Sequence, residues 1–136
     1  MRRIVGRAVL SVVGLDVQQA AGALQLCAGQ PGGIEAAMHC MRQISDDENT
    51  KAILLVDASN AFNQLNRQVA LHNIRRLCPA ISTLLSNTYS DASDLFVGGE
   101  VLFSKEGTTQ GDPLAMAMYA VPLIRELQPS GAQQVW

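Results

Sequence analysis

Ala52-Ile53-Leu54-Leu55-Val56-Asp57-Ala58-Ser59-Asn60-Ala61-Phe62-Asn63 passes from an unbroken apolar run into a carboxylate and then into small and polar residues. The apolar run is of strand length and does not alternate, which predicts a strand covered on both faces or placed centrally in a sheet. Asp57 then stands at the C-terminal end of that strand. Beyond it, Ala61, Phe62, Leu65, Val69, Ile74 and Leu77 recur near the 3.6-residue period, and Pro79 stops the pattern, so a helix is predicted over 61–77. A carboxylate at the end of a buried strand can hold a hard cation such as Mg²⁺ beside substrate phosphates. The same residue type at the same place can also do no more than cap the turn or helix that follows.

Outward from this unit, the N-terminal side is apolar with small residues and contains no Pro as far as residue 24, which predicts a helix over part of 7–23. Ala28-Gly29-Gln30-Pro31-Gly32-Gly33 is dense in turn formers and reads as a loop. Ile34, Ala37, Met38, Met41 and Ile44 then recur at helical spacing, predicting a helix over 33–45 that ends in the acidic loop Asp46-Asp47-Glu48. On the C-terminal side a second helix is predicted over 79–89. Leu95-Phe96-Val97 and Val101-Leu102-Phe103 flank Gly98-Gly99, the signature of a two-residue hairpin turn that needs positive φ angles. Finally Glu106-Gly107-Thr108-Thr109-Gln110-Gly111 reads as a loop, with Asp112 as N-cap and Pro113 as first residue of a helix that Pro122 kinks or ends.

The chain of 136 residues is 48% hydrophobic and 16% charged, enough for one globular domain that buries roughly two-thirds of its unfolded surface. Ten Lys and Arg against twelve Asp and Glu leave a net charge of −2, which is not the basic footprint of an autonomous nucleic-acid binder. Cys27, Cys40 and Cys78 are odd in number and widely spaced, which argues against a disulfide framework or a zinc site and for a reducing, intracellular setting. The start, MRRIVGRAVLSVVG, has the basic head and apolar run of a signal sequence. Arg7, Gly6 and Gly14 interrupt it, and no uncharged stretch of about 20 residues is available for a membrane span, so no membrane partner is expected.

Val56-Asp57-Ala58-Ser59-Asn60-Ala61-Phe62-Asn63 resembles the first palm motif of reverse transcriptases, an apolar residue, Asp, several variable residues, then Ala-Phe-Asp. Gly107-Thr108-Thr109-Gln110-Gly111-Asp112-Pro113-Leu114 is similar to the next palm motif of the same family, in the form found in non-LTR retrotransposons and related intron-encoded and bacterial enzymes. The segment from Leu26-Cys27-Ala28-Gly29-Gln30 through the following helix also looks like the fingers region that precedes the first palm motif. The resemblance implies an α/β (α+β) fold, a partial polymerase right hand with a small, largely antiparallel sheet and packed helices. Residues 1–50 would be partial fingers and residues 51–136 partial palm, with the palm motifs at 56–63 and 107–114.

By the same resemblance, the parent activity is RNA-directed DNA polymerisation by two-metal nucleotidyl transfer, with an RNA template, a DNA primer and deoxynucleoside triphosphates as partners. Asp57 would be the catalytic metal ligand for Mg²⁺. Ala58, Asn60 and Ala61 would offer turn amides to the triphosphate, since amides at a helix N-terminus point partial positive charge at anions. Phe62 matches the steric gate beneath the sugar, or else is a core aromatic of its helix. Gln110 and Gly111 would face the nucleotide and template strand, while Asp112 and Pro113 start a helix.

Asn63 departs from the family, which has Asp there. No Asp follows Asp112 as far as Trp136, so the paired aspartates of the third palm motif are missing from this stretch. One carboxylate does not hold two cations, because Mg²⁺ sheds water reluctantly and each ion needs anionic oxygens. The chain alone is therefore expected to be inactive. Two further readings stand beside this one: a non-catalytic remnant of a mobile element, and a small receiver-like phosphotransfer domain using Asp57, which would call for a parallel sheet.

Overall fold

The computed structural model describes residues 2–23, 25–26 and 28–126; Cys27 and the predicted palm residues 127–136 lie outside the described residues. In chain order the elements are α1 (Arg2–Ala21), α2 (Gly33–Asp46), α3 (Arg67–Leu77), α4 (Pro79–Tyr89), β1 (Ser93–Val97), β2 (Glu100–Ser104) and α5 (Ala115–Glu126). The fold is mixed α and β, helices with a two-stranded antiparallel sheet.

Local chemistry explains most of the boundaries. The Asn66 side chain accepts the Val69 N–H at 3.1 Å and so caps α3, while Arg75 and Arg76 in the last turn complement the negative end of the helix dipole. Pro79 ends α3, because the residue before a proline is pushed out of the helical region, and then opens α4 as its first residue. In the hairpin, Leu95 pairs with Leu102 and Phe96 with Val101, and Gly98 and Gly99 take φ of 59° and 87° in the turn. Asp112 Oδ1 accepts the Leu114 N–H at 2.9 Å just ahead of α5. The helix does not end at Pro122 but runs through it to Glu126, at the loss of one backbone hydrogen bond.

α1, α3, α4 and α5 pack on one another and bury Val17, Leu71, Ile74, Ile81, Leu85, Met118 and Val121. Ile74, Ile81 and Leu85 are completely buried, each contributing about 1.5–3 kcal/mol by removal from water. α2 stands outside this core. It forms where the helical spacing predicts it, yet buries only Gly33 and leaves Ile34 and Met38 exposed.

Two expectations fail. The predicted strand 52–56 is not a strand: residues 51–58 carry no regular structure, and Leu54 and Leu55 are 86% and 78% exposed. A strand exists only through a hydrogen-bonding neighbour, and the described strands β1 and β2 pair with each other. Asp57 therefore does not end a sheet strand. The predicted helix over 61–77 begins only at Arg67, because residues 59–64 form turns that keep Ala61 and Phe62 out of it. No parallel strand pair occurs among the described residues.

Candidate functional site

The segment after Asp57 is tied into a tight turn by its own polar groups. Asn60 takes φ of 52°, a left-handed conformation that asparagine tolerates better than most residues. Its carbonyl accepts the N–H groups of Asn63 and Gln64 at 3.0 and 3.1 Å, and its side-chain oxygen accepts the Asn63 amide at 2.6 Å. This turn presents two carbonyls to the distant loop at 107–112. Phe62 accepts the Thr108 N–H and Leu65 accepts the Gly107 N–H, both at 2.8 Å. The two stretches singled out in the sequence are thus joined backbone to backbone.

Gly107 makes that approach possible. At φ of 72° it occupies a conformation that favours glycine, and a Cβ there would lie 2.6 Å from the backbone carbon atoms of Asn63. The Phe62 ring rests against Tyr119 of α5, centroids 4.8 Å apart and planes tilted by 37°. Ala58 and Ala61, with Gln64, Val69, Asn73 and Tyr119, line a cleft of about 270 Å³ between this turn, α3 and α5.

Behind the loop sits a buried polar cluster that sequence reasoning missed. The Arg67 guanidinium, only 6% exposed, donates to the carbonyls of Gly107 (2.6 Å) and Ser104 (2.7 Å) and to the Ser104 hydroxyl (2.8 Å). It lies 5.3 Å from the centre of the Tyr89 ring, a cation–π arrangement. Burial lowers the Arg67 pKa from its ordinary value, and Tyr89 and Glu106 oppose that shift only in part. The Tyr89 hydroxyl donates to Asp112 Oδ2 at 2.6 Å and accepts the Thr109 N–H at 3.1 Å. Burial first, and then the bond to Asp112, push its pKa above the usual phenol range. Asp112 is predicted to cap a helix beginning at Pro113, but α5 begins two residues later at Ala115, and both oxygens of Asp112 are engaged in fixing the loop.

The predicted site residues divide accordingly. Ala58 and Ala61 share the cleft, Asn60 builds the turn, and Phe62 is half-buried and bonded to the loop. Gln110 and Gly111 are exposed on the loop, where the Arg3 guanidinium covers Gly111. Asp57 is exposed and forms no hydrogen bond or ion pair with a described residue, so it is not the cap of α3, a place taken by Asn66. Among the described residues no group of three or more His, Cys, Asp or Glu side chains is arranged to hold a metal. The carboxylate of Asp112 is committed to Tyr89 and Leu114.

Compared with protein-family models, with curated proteins and with solved structures, the chain matches none.

Proposed function

We propose that this chain is part of a reverse transcriptase domain of the non-LTR retrotransposon or group II intron type, whose parent activity is RNA-directed DNA polymerisation. The observation that carries the reading is the pair of 2.8 Å hydrogen bonds joining Phe62 to Thr108 and Leu65 to Gly107. Two motifs that serve one nucleotide pocket must be neighbours in space, and these two are, although 40 residues of helix and hairpin separate Arg67 from the Gly107 carbonyl it holds. In this reading Asp57 supplies one metal-binding carboxylate, Phe62 the ring beneath the sugar, and Gln110 and Gly111 the surface toward nucleotide and template. Each remains a role by resemblance. The chain alone is inactive, because a single carboxylate does not hold the cations that the chemistry requires.

The exposure of Ile53 to Asp57 favours a second reading, a non-catalytic remnant of a mobile element. One experiment separates them. Sequencing the reading frame past Trp136 is expected to reveal a hairpin bearing paired aspartates; an immediate stop supports the remnant, and a long open frame without such a hairpin sinks the polymerase reading. Purified chain with RNA template, DNA primer, deoxynucleoside triphosphates and Mg²⁺ is expected to give no primer extension. Extension that disappears in Asp57→Ala would show that the chain alone is active.

A further inference from the structure

The arginines at the start of α1 are the charged feature left unexplained. Arg2, Arg3 and Arg7 are all exposed, and no ion pair with a described acid neutralises them. They are not a loose basic terminus. Arg2 Nη1 donates to the Thr109 hydroxyl at 3.2 Å, and its guanidinium lies 5.8 Å from the centre of the Tyr89 ring. The Arg3 guanidinium covers Gly111 so closely that a Cβ there would lie 3.1 Å from its Cζ. One turn further on, Gly6 abuts Pro113 and brings the helix itself against the same loop. Arg67 approaches from below, and its proximity to Arg2 lowers the pKa of Arg67 further. Against these cations stand Asp112, whose two oxygens are already used, and Glu106. In a chain of net charge −2 with ten Lys and Arg, three arginines therefore stand at one end of α1, two of them over one loop that Arg67 also holds.

We propose that Arg2 and Arg3 over the Thr109–Gly111 turn, with Arg7 one turn further along α1, form a phosphate-binding site for a nucleic-acid strand. Guanidinium groups recognise phosphate through paired N–H donors and stay charged at any physiological pH. Arg3 and Arg7 stand four residues apart on the helix, so their charges are spread along a line, as suits the repeated phosphates of a strand better than one compact triphosphate. A membrane surface fits less well. The exposed apolar residues of α1, Ile4, Val12 and Leu15, lie on its outer side, whereas Arg2 and Arg3 reach inward over the loop that Gly6 also faces. This inference rests on the reverse transcriptase reading for the identity of the strand, but not for the existence of the site.

The test is fluorescence anisotropy of the full 136-residue chain with a short labelled single-stranded RNA at low salt. The chain is expected to bind, and Arg2→Ala with Arg3→Ala to weaken binding about tenfold and flatten the salt dependence by about 1.4 in log–log slope, the contribution of two phosphate contacts. Arg2→Lys with Arg3→Lys should restore most of the slope, and Arg42→Ala with Arg76→Ala, the same charge loss elsewhere, should change little. If the alanine pair unfolds by circular dichroism, Arg3→Glu with Arg7→Glu replaces it and is expected to abolish binding. No binding by the unaltered chain, or an unchanged slope in the variants, overturns the proposal. Displacement of the RNA by a magnesium-free deoxynucleoside triphosphate as readily as by unlabelled RNA overturns the strand assignment. Arginine-dependent binding to phosphatidylserine–phosphatidylcholine vesicles without RNA binding does the same in favour of a membrane. Arginine-dependent RNA binding together with an open frame lacking paired aspartates keeps this site while removing the polymerase reading.

Discussion

The Tyr89 hydroxyl donates to the Asp112 carboxylate across 2.6 Å while accepting the Thr109 N–H, so one phenol at the end of α4 holds both sides of the 107–112 loop. The ring beneath it carries Arg67. Tyr89→Phe keeps the ring and removes the hydroxyl, leaving a buried carboxylate oxygen and a backbone donor without their partner. Urea denaturation is expected to show a loss of about 1–3 kcal/mol, the range for an orphaned buried polar group. No loss would mean that water replaces the hydroxyl and that the phenol does not organise the loop.

The same phenol sets an alkaline limit. Its folded-state pKa is raised by burial and by Asp112, above the unfolded value of about 10. A group of this sign stabilises the fold fully below the unfolded value, and its contribution disappears as pH rises through the folded value. Absorbance at 295 nm should show one of the two tyrosines ionising above the usual range, together with loss of tertiary structure. In Tyr89→Phe that late step should be absent.

Gly107 and Gly99 both have positive φ, at 72° and 87°, but differ in what surrounds them. Gly99→Ala meets open space and should cost about 1–2 kcal/mol for the left-handed conformation alone. Gly107→Ala drives a methyl group into the backbone of Asn63 and should cost more than about 3 kcal/mol, as the strands of chain joined by Thr108 and Phe62 are forced apart. Equal Tm values for the two variants would contradict the close approach.

Arg67 shows why part of the site was not legible in the sequence. Its partners, Ser104 and Gly107, lie 37 and 40 residues away, and no local pattern distinguishes a guanidinium that will be buried from one that will be solvated. Elements set by local chemistry are legible in the sequence. Pro79 opens α4, Gly98-Gly99 makes the hairpin turn, and the spacing from Ile34 to Ile44 makes α2. Asn66 has the residue type of a helix cap, but Ala61 and Phe62 continue the helical period ahead of it and mask the start of α3. The apolar run at 52–56 reports hydrophobicity but not a partner, and pairing is a long-range property.

That run also yields the sharpest measurement of the fold. Leu54 and Leu55 are 86% and 78% exposed, whereas Leu85 is completely buried in the helical core. Leu85→Ala removes packed methyl groups and leaves a cavity, so its expected cost in urea denaturation is about 2–5 kcal/mol. Leu54→Ala and Leu55→Ala remove side chains that touch little, and each should fall within about 0.5 kcal/mol of the unaltered chain. A cost for Leu54 or Leu55 approaching that of Leu85, at a protein concentration where the chain is monomeric, would mean that the segment before Asp57 is covered in solution.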